Sequence, residues 1–127
     1  MAARSFLDFV NASPSPFHAV ASARADLLSA GFKELKERLD WSLRPSGNYF
    51  FSRNQSSLIA FSVPQSYDPS CVGFSIVAAH TDSPCLKLKP VSRKQKAGYA
   101  MLGVQCYGGG LWHTWFDRWV PLSLCVV

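Results

Sequence analysis

His80 and Asp82 stand two residues apart at the end of an apolar run, in the stretch SIVAAHTDSP over residues 75–84. An imidazole can give one ring nitrogen to a metal ion while the other bonds a carboxylate, which fixes tautomer and orientation. Asp82 returns to the same side of an extended chain as His80, so it suits either that partner role or direct ligation. The alternative is a polar strand end, because His and Asp two apart is a common chance spacing. Position favours chemistry. In open α/β sheets functional groups collect just beyond the carboxyl ends of strands, and His80 falls where FSIVAA would end.

The other reactive side chains read more plainly. His113 lies among Trp112, Trp115 and Phe116, as in an aromatic surface, and His18 follows Pro16 and Phe17 where a helix would start, a place for capping or packing. Glu34 and Glu37 are the only glutamates and sit in the polar stretch KELKERLDWSLRPSGN, as solvated charges. Gly108 to Gly110 precede neither the lysine nor the helix of a phosphate-cradling loop, so they suggest a close backbone approach at a turn. Cys71, Cys85, Cys106 and Cys125 form no C-x-x-C pair and read as buried free thiols. No Ser-His-Asp or Cys-His arrangement can be argued from spacing.

The elements that must position His80 and Asp82 follow from periodicity. SFLDFVNA puts Phe6, Phe9 and Val10 on one helical face. In SPSPFHAVASARADLLSAG, Ser15 can cap, Pro16 suits the first helical position and Gly31 closes the helix. YFFSR and SLIAFSV then predict a hairpin turning over residues 54–57. GFSIVAA is continuously apolar, the pattern of a strand covered on both faces. LKLKP alternates like a half-exposed strand, and GYAMLGVQCYGGG contains a longer one. Two helices followed by several strands predict an α/β fold, a mixed sheet that expects more helical cover than residues 41–127 supply.

Composition sets the limits. A chain of 127 residues makes at most one domain, small for an α/β enzyme, and 48% hydrophobic with 13% aromatic residues excludes disorder. No apolar run approaches the ~20 residues that cross a bilayer, and Asp8 interrupts the only apolar stretch near the N-terminus, so a cytoplasmic location and no membrane partner are expected. The net charge of +5 is local: without Lys87, Lys89, Arg93, Lys94 and Lys96, bases and acids balance at eight each. That run reads as a solvated connection between strands. Its charges are not interleaved with aromatics as stacking on bases needs, so no nucleic acid is expected.

Three separated blocks, FVNASPSPFHAV, AAHTDSP and YGGGLWHTWFDR, resemble the aspartyl aminopeptidases, a family of zinc metallopeptidases, in order and spacing over roughly Phe6 to Arg118. The resemblance implies a dinuclear zinc enzyme that removes N-terminal aspartate or glutamate from peptides. It also implies a three-layer α/β zinc-peptidase domain with a second, inserted domain, assembled into large homo-oligomers. Carried over, His80 is a zinc ligand and Asp82 the catalytic aspartate that orients it. After Glu37 the chain has no glutamate, and after Asp82 its only acid is Asp117, so the general base and remaining ligands that the family implies cannot be mapped. The expectation is that residues 1–118 form the N-terminal part of the catalytic domain and that WVPLSLCVV, residues 119–127, is a divergent tail. Such a truncated chain, with an incomplete zinc site, would be inactive alone. The alternative is a non-catalytic fragment that binds full-length subunits.

Overall fold

The computed structural model describes residues 2–66, 73–117 and 122–123. Its first helix, α1 (Ala2–Ala12), is amphipathic but buries no residue. α2 (Pro16–Ser29) starts as its sequence dictates: Ser15 is extended, its hydroxyl accepts the His18 N–H at 3.4 Å, and Pro16 fills the first turn. It ends at Gly31, whose φ of 82° lets the Phe32 N–H reach back to the Leu27 carbonyl at 3.0 Å. Pro16, Ala19 and Val20 form its buried face.

The first sheet has the order β1 (Lys33–Glu34), β2 (Asn48–Arg53), β3 (Ser57–Ser62). β1 runs parallel to β2, and β2 pairs antiparallel with β3 in the register Phe50↔Ala60. The turn between β2 and β3 places Asn54 and Gln55 at positive φ. Alternation along β2 builds two faces. Tyr49 and Phe51 share one with Phe61, where Trp41 closes over Phe51 and Phe61 at 5.1 and 5.9 Å between ring centroids. Phe50 points the other way and is fully buried. Gly47 is required before β2, because a Cβ there would stand 2.5 Å from the Tyr49 ring. The Tyr49 hydroxyl in turn accepts the Arg44 N–H at 2.8 Å.

The second sheet has the order β5 (Tyr99–Tyr107), β4 (Cys85–Lys96), β6 (Leu122–Ser123), with β4 antiparallel to β5 and parallel to β6. Ala97 and Gly98, both at positive φ, make the two-residue turn that suits the twist of a hairpin. The register shifts between Leu88 and Arg93, and Pro90, which lacks an N–H for the ladder, sits in that irregularity.

Helices, hairpin and mixed sheets agree with the expected α/β fold, and two expectations about strands need correction. Gly73 to Ala79 is not a doubly covered strand: it is irregular and exposed. A strand of that kind takes its pairing from neighbouring strands and its cover from helices, and among the described residues no strand joins the outer side of β3 and no α-helix follows α2. The basic run is not a connection between strands. It makes up nearly all of β4, residues 87–96, and only Ala97 and Gly98 connect.

Candidate functional site

His80 and Asp82 meet, as their spacing predicts, in the irregular segment just before β4. His80 Nδ1 lies 3.0 Å from Asp82 Oδ1 and 2.9 Å from the Asp82 carbonyl oxygen. A carbonyl oxygen can only accept, so Nδ1 carries the proton and donates to both oxygens. In the neutral ring Nε2 then keeps its lone pair. The imidazole is 72% exposed and the Asp82 side chain 21%, so Nε2 is the accessible end and the carboxylate the sheltered one. This is the arrangement in which a carboxylate orients an imidazole toward a metal. The pair stands without a third such group: among the described residues no three His, Cys, Asp or Glu side chains converge.

What holds the pair is the start of the second sheet. Cys85, buried, pairs with Tyr107 at the head of the β4–β5 ladder. Gly108, at φ 99°, follows Tyr107, and a Cβ on it would stand 3.1 Å from Pro84 Cα. The glycine run is thus the close backbone approach its sequence suggests, made against the loop that carries His80 and Asp82. Lys87 completes the junction: its Nζ lies 3.5 Å from the Tyr107 ring centroid and 5.2 Å from that of Phe17. One residue of each sequence block, Phe17, Pro84 and Tyr107, therefore stands at this junction. Spacing alone could not reveal that convergence, because it arises from pairing over long sequence separation.

The remaining candidates fall away on geometry. Arg24 donates to Glu34 through Nε at 2.9 Å and Nη2 at 2.7 Å. Arg53 donates through Nε to both Glu37 oxygens at 3.0 and 3.1 Å, and its Nη2 also bonds Oε1. These hydrogen bonds hold both carboxyls below their ordinary value, so each glutamate is an ionised staple between elements. Both glutamates are exposed, as expected of solvated charges, and each has an arginine partner at the surface. His18 Nδ1 lies 2.7 Å from the Ser15 hydroxyl and belongs to the helix cap. His113 is exposed in the 3-10 turn Trp112–Trp115, whose two indoles lie tilted to each other with centroids 4.7 Å apart. Cys85 and Cys106 are free thiols, but Cys106 is exposed, contrary to expectation, because it faces outward from the second sheet. Cys71, Cys125 and most of the tail lie outside the described residues. Among those described, no helix is long and apolar enough to cross a membrane.

Comparison with known proteins gives the site its context. Residues 9–127 match the family model of the aminopeptidase I zinc metalloproteases (M18). Aspartyl aminopeptidase 1 of Schizosaccharomyces pombe is 53% identical over 120 residues, covering 93% of this chain and 25% of its own length. The cryo-EM structure of the Ape4 and Nbr1 complex superposes with a TM-score of 0.81 at 54% identity, covering 91% of this chain and 22% of that one. The Saccharomyces cerevisiae mApe1 dodecamer does so at 0.79 and 34%, covering 92% and 27%. The chain spans about a quarter of the length of the relatives it matches.

Proposed function

Because the chain belongs to the aminopeptidase I zinc metalloprotease (M18) family, we propose that His80 and Asp82 are one corner of the zinc site of an aminopeptidase that releases N-terminal aspartate or glutamate. The observation that carries this reading is the Asp82–His80 contact, which leaves the exposed Nε2 as the free donor. The preference for acidic N-termini is supported by the names of the aspartyl aminopeptidases that the chain resembles. Assembly into homo-oligomers is supported by the related dodecamer. The free thiols Cys85 and Cys106 fit a reducing, cytoplasmic compartment.

The residues present fit the group in part. His80 would hold a zinc ion through Nε2, and Asp82 would fix the ring and raise its basicity through Nδ1. Zinc, when bound, supplies Lewis-acid polarisation of the scissile carbonyl. Asp82 moves no proton in this role, since it accepts the Nδ1–H and keeps the ring from rotating. A catalytic zinc takes three protein ligands, and the chain has no glutamate after Glu37 to serve as general base. The 127-residue chain alone is therefore expected to hydrolyse no aspartyl or glutamyl substrate. Exposure of Phe74, Ile76 and Val77 favours a second reading, docking on longer subunits of the family.

The test is zinc titration of the isotope-labelled chain, followed at the imidazole nitrogens by NMR. Zinc should move His80 Nε2 and leave His18 and His113 as they are, and His80→Ala should abolish the response. A titration that leaves His80 unmoved, or zinc-dependent turnover by the 127-residue chain freed of any longer enzyme, would overturn the corresponding half of the proposal.

A further inference from the structure

β5 is an edge strand without the devices that keep such edges solitary. It runs nine residues from Tyr99 to Tyr107 with no proline and no charged side chain, and among the described residues nothing pairs with its outer side. An open ladder of N–H and C=O groups of this kind is a template for another extended chain.

The face of β5 is not neutral, because lysines of β4 lie across it. Gly103, Gln105 and Tyr107 share one face. The Lys94 side chain crosses that face at Gly103, its Cε 3.4 Å from where a Cβ would stand. The Lys87 ammonium lies over the Tyr107 ring, 3.5 Å from its centroid. Two ammonium groups are thus carried over the edge strand at positions four residues apart. No acidic residue occurs between Asp82 and Asp117 to neutralise them.

We propose that the outer edge of β5 accepts an extended acidic segment of a partner polypeptide as an added strand, with carboxylates four residues apart facing Lys94 and Lys87. Charge selects the occupant. A second copy pairing through its own β5 would bring lysines against lysines, and like charges across strands repel. The open amides select a polypeptide over a nucleic acid, which has no backbone ladder to pair with them. The proposal is independent of His80 and Asp82.

The test uses the full 127-residue chain and fluorescein-labelled seven-residue peptides in a threonine–valine host, read by anisotropy. A peptide with glutamate at its second and sixth positions should bind several-fold tighter than its lysine counterpart, because the Lys94 and Lys87 side chains reach over β5 toward it and unlike charges attract. Lys94→Gln should narrow that preference and Lys94→Glu should cancel it, since one pair then repels while Lys87 still attracts, with circular dichroism unchanged. N-methylation of alternate amides in the glutamate peptide should reduce binding to background. Equal binding of the N-methylated peptide would mean charge attraction without strand pairing, and would overturn the proposal. So would a ten-residue oligothymidylate binding as tightly as the glutamate peptide. Dimerisation through this edge that the peptide does not compete would assign it to a second copy, and the proposal would fail.

Discussion

Replacing Phe74, Ile76 and Val77 together by serine should abolish self-association of the chain without destabilising its fold. The three side chains are 82%, 83% and 98% exposed. Fully burying a large apolar side chain is worth about 1.5–3 kcal/mol, so this segment forgoes about 4–8 kcal/mol in the isolated chain. That is comparable with the whole net stability of a domain, about 5–15 kcal/mol. Phe74 and Val77 also line an open groove of about 810 Å³ with Ala60, Phe61 and Val63, so a partner seated there would bury both walls at once. Exposed substitutions change stability by only about 0.5 kcal/mol each. Sedimentation velocity should therefore show concentration-dependent assemblies for the native chain and a monomer for the triple variant, with urea midpoints nearly unchanged. A native chain that is monomeric at tens of micromolar would refute the reasoning. So would a triple variant that loses several kcal/mol, which would mean that the segment is buried.

Phe50→Ala should cost about 3–5 kcal/mol, because the ring is wholly buried in β2, whereas Ile59→Ala, on an exposed position of β3, should cost far less; urea unfolding separates the two. Glu34 and Glu37 have folded pKa values below their ordinary 4.5, through hydrogen bonds from Arg24 and Arg53. Each therefore adds stability above that pH and loses it as pH falls through the folded value. The double variant Glu34→Gln, Glu37→Gln should lower the melting temperature near neutral pH and flatten its fall below 4.5. Asp82→Asn should leave the Nδ1–H tautomer of His80 in place in the ring-nitrogen spectrum, because the backbone carbonyl of residue 82 still accepts that proton, while His80→Ala should leave the melting temperature in place because the ring is exposed.

Local chemistry was legible in the order of residues. Ser15 and Pro16 announce α2, Gly31 its end, and the alternation around Asn54 a hairpin; the His80–Asp82 contact too follows from a spacing of two, because it needs only the few bonds between them. The three blocks likewise pointed to the family. What pairing over long separation decides could not be read in this way. FSIVAA has the composition of a central strand, but strands and helices must be supplied from elsewhere to cover it, and the described residues leave it exposed. The cations of residues 87–96 looked uninterleaved with aromatics along the chain. The β4–β5 register sets Lys96 opposite Tyr99 and lays Lys87 on Tyr107. Hydrogen bonding across the hairpin, not adjacency in the chain, chooses those neighbours.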